Sequence, residues 1–130
     1  MKRSYAILLG LTMSLAAANA SARETIENFS GDKSGVTHEF EAQAPWIVDW
    51  WVTSEYRTGT ATEVTLLNAD TGQDIGYVLN TTGTGNGVKL FDESGRFYFR
   101  VDSSLVNWHL KVEQLTRDEA KLYTPKEPQD

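Results

Sequence analysis

Four tryptophans, two histidines and a run of glycines are the residues of this 130-residue chain whose types invite a chemical reading. An exposed indole is a flat apolar plate on which the C–H face of a sugar ring can stack, with an N–H at its edge for a hydroxyl. Spacing sorts the four. Trp46 and Trp50 alternate in phase with Val48 and Val52, and Trp108 is in phase with Leu110 and Val112, so these three belong to a core. Trp51 falls on the opposite face with Ile47 and Asp49, and the loop 53–61 that follows carries Tyr56 and Arg57. Trp51, Tyr56 and Arg57 are therefore the candidate carbohydrate-binding set.

A second set is Arg96, Tyr98 and Arg100, which alternate along one face of a strand just after the Ser94-Gly95 turn. Arginine and tyrosine are common anchors of protein interfaces, so Ser94, Gly95, Arg96, Tyr98 and Arg100 form the candidate protein-binding row. Asn68, Asp70 and Asp74, with Gly72 between them, have the oxygen spacing of a calcium loop but no closing bidentate glutamate, and a hairpin turn is the better reading. Gly83, Gly85 and Gly87 suggest a phosphate cradle, yet strands flank them and no Gly-Lys-Ser/Thr follows, which favours a flexible hairpin loop. His38 and His109 lie on separate strands, the first expected inward and the second toward solvent, and no nucleophile-elbow motif accompanies them. The expectation is binding without catalysis, with no cofactor and no metal.

Charge narrows the partners. Lys2 and Arg3, an apolar stretch from Tyr5 to Leu15, and small residues through Ala22 have the layout of a cleaved secretory signal, with cleavage after Ala20 or Ala22. The stretch is too short for a stable membrane anchor. Its removal would lower the basic residues from 12 to 10 against 18 acidic ones, a net charge of −8 instead of −6. An acidic protein with scattered lysines and arginines is unsuited to nucleic acid. The absence of cysteine excludes a disulfide framework and fits an exported bacterial protein, periplasmic or secreted.

The elements that must position these residues are strands. Alternation predicts a first strand with Val36, His38 and Phe40 on one face, then strands over 46–52, 62–68, 75–80, 88–91, 96–101 and 106–115. About seven short strands with close turn signals predict an all-β, jelly-roll-like antiparallel sandwich over residues 34–115. Residues 23–33 are expected to be loosely held. In the segment 116–130, Thr116-x-x-Glu119 predicts a capped short helix over 117–123 before a frayed tail.

The stretch Glu93-Ser94-Gly95-Arg96-Phe97-Tyr98-Phe99-Arg100-Val101 and the closing Trp108-His109-Leu110-Lys111-Val112 resemble the C-terminal half of bacterial pre-peptidase C-terminal type β-sandwich domains. Ser94 to Tyr98 also fits the loose S-G-x-x-Y form of related periplasmic sandwiches that inhibit lysozymes. The resemblance covers under half of the chain. It implies a non-catalytic module whose partner is a protein held through the Ser94–Arg100 region. The residue reading keeps a glycan partner at Trp51 as the alternative, and a structural envelope component as a third.

Overall fold

The computed structural model describes residues 24–123, so the expected signal segment and the tail beyond Tyr123 lie outside the described residues. Among the described residues nine strands form two antiparallel sheets. They are β1 (Glu24–Gly31), β2 (Gly35–Val36), β3 (Phe40–Ala42), β4 (Trp46–Thr53), β5 (Ala61–Asn68), β6 (Asp74–Thr81), β7 (Gly85–Phe91), β8 (Gly95–Ser104) and β9 (Asn107–Gln114). The first sheet has the order β1-β9-β4-β7, and in the second β2 and β3 share one side of β8, followed by β5 and β6. Because the chain crosses repeatedly between the sheets, this is the jelly-roll arrangement of a β-sandwich, as the alternation predicts.

The inner faces meet in one apolar core. Trp46, Val48 and Val52 of β4 and Trp108, Leu110 and Val112 of β9 face Val64 and Leu66 of β5 and Phe97, Phe99 and Val101 of β8. Aromatic rings dominate its centre: Trp46 stacks on Phe91 at 4.7 Å between centroids and meets Phe40 edge-on at 5.7 Å. The Trp46 indole N–H donates to the Glu93 carbonyl at 2.8 Å, so burial leaves no orphan donor. Trp50 is also inward, though only half-buried, because β7 outside it is an edge strand.

Two expectations about the N-terminal strands need correction. Residues 24–31 are not loose but form β1, a full partner of β9. A register shift between Thr25 and Glu27 lets both Ile26 and Phe29 reach the core despite their odd spacing, which is why simple alternation missed the strand. The predicted strand through Val36, His38 and Phe40 is in fact two. Val36 pairs with Arg100 and Phe40 with Phe97, so one residue is gained between them and the faces flip. Thr37 makes the break: its N–H donates to Phe99 O and its hydroxyl accepts the Phe99 N–H, both at 3.0 Å. Phe40 is consequently buried, whereas Val36 is 67% exposed and His38 lies on the surface with Nε2 3.2 Å from Glu27 Oε2.

The predicted capping box is present. Thr116 accepts from the Glu119 N–H and Glu119 accepts from the Thr116 N–H, opening a helix, α1, that is shorter than expected (Arg117–Ala120). Among the described residues no helix is long and apolar enough to cross a membrane.

Candidate functional site

Alternation along β4 and β9 places Asp49, Trp51 and Thr53 beside Lys111, His109 and Asn107 on the outer face of the first sheet. Trp51 is 38% exposed. Its indole lies nearly parallel to the imidazole of His109, with centroids 4.8 Å apart and planes inclined by 11°. His109 therefore backs one face of the indole. On the other side the register neighbour of Trp51 is Asn86 of β7.

Between Trp51 and β7 lies a groove of about 520 Å³, lined by residues 51–54 and 84–86. Every one of these residues is uncharged. The Asn86 amide, the hydroxyls of Thr53 and Thr84 and the Trp51 indole N–H have no hydrogen-bond partner among the described residues, so they can serve a ligand. Ser54 instead ties the strand end down, donating its hydroxyl to Leu105 O and accepting the Tyr56 N–H. The ring plate and the polar groups thus come together along one shallow, open groove.

The remaining members of the carbohydrate set separate. Tyr56 is 60% exposed and lines an adjoining hollow with Asn107, and Arg57 is exposed and lines neither. His109 and Asn86 are the neighbours of Trp51 that alternation alone could not nominate, because their place beside it lies in cross-strand register. The signal available in the sequence was the outward phase of His109 on the last strand.

The Ser94–Arg100 row is mostly engaged in the fold. Ser94 Oγ accepts the Ala44 N–H at 2.8 Å, and Gly95 adopts φ +151, a backbone that L side chains rarely take. Arg96 is clamped between Glu39 and Asp70, tying the segment before β3 to the β5–β6 turn. Tyr98 and Arg100 do face outward, Tyr98 half-buried and Arg100 exposed. Arg100 belongs to a cross-strand row with Val36, Thr65 and Tyr77, of which Tyr77 is 53% exposed.

The oxygens of the calcium candidate are used in a turn. Asn68 Oδ1 accepts the N–H groups of Asp70 and Thr71 at 2.8 and 3.0 Å, Asp70 pairs with Arg96, and Asp74 opens β6. Among the described residues no group of three or more His, Cys, Asp or Glu is placed to hold a metal ion. The glycine run is not a loop throughout, since β7 begins at Gly85 and Gly87 sits under the Trp50 ring.

No family model and no curated protein matches this chain. Among solved structures, a carbohydrate-binding module from Cellvibrio mixtus lichenase 5A in complex with cellotriose is similar in structure. The TM-score is 0.44 at 9% identity, covering 77% of this chain and 95% of that one. A likeness at that level carries no argument about ligand.

Proposed function

We propose that this protein is an exported, non-catalytic binding module whose ligand is a carbohydrate held at Trp51. The observation that carries the reading is an exposed indole backed by His109 and open on its other side to an uncharged groove edged by free amide and hydroxyl groups. A sugar asks for that combination: an apolar plate for its C–H face and neutral donors and acceptors for its hydroxyls. His109 fixes the plate before the ligand arrives, which lowers the ordering cost of binding. The test is affinity electrophoresis through polysaccharide-containing gels. Trp51→Ala is expected to weaken retardation at least about tenfold, or roughly 1.4 kcal/mol, while the unfolding midpoint stays near that of the parent. Retardation at the parental level in the variant, or none in the parent, rejects the site.

The outer face of the second sheet supports a second reading, capture of a protein partner of the kind implied by the resemblance of residues 93–112. Val36, Arg100 and Tyr77 make an exposed row of apolar, cationic and aromatic groups, and Arg100 has no ion-pair partner among the described residues. Under this reading Tyr77→Ala with Arg100→Ala abolishes pull-down of a partner from envelope extract without unfolding the domain. Pull-down unchanged by the pair of substitutions removes this face from consideration.

A further inference from the structure

Beside the Trp51 groove lies the second hollow, of about 260 Å³, which Tyr56 lines together with Asn107, Asp32 and Glu55. The two adjoin. Thr53 lines the first, Asn107 lines the second, and these residues are register partners across β4 and β9. Ser54 and Glu55 continue the lining along the chain from one to the other. Trp51 and Tyr56 are five positions apart in the chain, so their Cα atoms are at most about 18 Å apart, a span that a short oligosaccharide bridges.

The charged residues that line this path have one sign. The groove at Trp51 is neutral, while the hollow at Tyr56 carries two carboxylates. Neither is lined by a lysine or an arginine, and Arg57, next to Tyr56, lies outside both. The whole chain has a formal net charge of −6. An anionic chain laid along the path would come within a Debye length of about 8–10 Å of Asp32 and Glu55 and be repelled. The same carboxylates are good acceptors for sugar hydroxyls.

We infer that the site takes an internal stretch of a neutral polysaccharide, with Trp51 and Tyr56 as two stacking platforms, and that it rejects uronate-bearing chains. This rests on the carbohydrate reading and narrows it to a ligand class. Acidic glycans are recognised through lysine and arginine, which line neither hollow. A single-platform site would bind a terminal sugar and gain nothing from chain length, whereas two adjoining hollows gain from each added unit until both are filled.

The test uses affinity electrophoresis of the full chain through gels containing hydroxyethyl cellulose, galactomannan, alginate or polygalacturonate, at low salt and at about 0.5 M salt. Retardation is expected in at least one neutral polymer, insensitive to salt, weakened at least about tenfold by Trp51→Ala and about threefold by Tyr56→Ala. Trp51-dependent retardation by alginate or polygalacturonate overturns the neutral class and leaves the carbohydrate reading standing. Retardation that depends on Trp51 but not on Tyr56 overturns the two-platform path. If no polymer gives Trp51-dependent retardation, the carbohydrate reading itself falls and the inference falls with it. Thermal unfolding of both variants shows that the losses come from folded protein.

Discussion

Trp46→Ala is expected to remove about 3–5 kcal/mol of folding stability, measured by denaturant unfolding of the full chain. The side chain is fully buried and touches rings from three other strands: Phe40 on β3, Phe91 on β7 and Phe97 on β8. It links the two sheets at one end of the sandwich, so no single element can relax into the space it leaves. A domain of this size has roughly 5–15 kcal/mol in total, and the variant would therefore sit near the edge of folding. Trp46→Phe keeps a ring against Phe91 and gives up the indole bond to Glu93 O, and it is expected to cost about 1–2 kcal/mol. A loss below about 1.5 kcal/mol in the alanine variant would mean that the sheets are held together elsewhere.

Trp46 also shows what the sequence makes legible. Period-two alternation is dictated by the strand itself, so a residue in phase with Val48 and Val52 is committed to the core whatever the topology. The same logic found β4, β5, β8 and β9, whose inner residues are those expected. It failed where the backbone adds a residue. At Thr25–Glu27 and again between Val36 and Phe40, a shift in register changes which side chains point inward, and nothing in hydrophobic pattern announces it. Thr37, whose hydroxyl replaces a ladder partner for Phe99, is the residue on which the second shift turns, and threonine is too common in strands to signal that role.

The candidate site divides in the same way. Trp51 was legible because its phase sets it apart from the other tryptophans. Its surroundings were not, because His109 and Asn86 become its neighbours only through the pairing of β4 with strands far along the chain. Arg96 is a parallel case. A surface arginine in phase with a tyrosine reads as a contact residue, and the structure adds that Glu39 and Asp70 arrive from other segments to pair with it; sequence separation hides both.

The glycine run supplies the second large effect, because it joins core packing to the groove. A Cβ on Gly87 would lie 2.7 Å from Trp50 Cζ2 and 2.9 Å from Cε2, closer than real side chains approach. A Cβ on Gly85, two residues earlier on the same strand, would meet nothing within 4 Å. The same chemical change at the two positions therefore separates a steric effect from a general effect of losing glycine. Gly85→Ala is expected to leave stability within about 0.5 kcal/mol of the parent. Gly87→Ala is expected to cost about 1–3 kcal/mol, as overpacking does when a rigid ring must move. Among the described residues of the first sheet β7 pairs with β4 alone, so the strain is released by shifting this edge strand, and Asn86 and Thr84 shift with it relative to Trp51. Polysaccharide retardation should fall in Gly87→Ala even though the substituted residue does not line the groove. Trp50→Leu removes the ring from beneath the added methyl, so in that background Gly87→Ala should cost less than about 0.5 kcal/mol. An undiminished cost there would show that Gly87 is needed for its backbone and not for the space it leaves to Trp50.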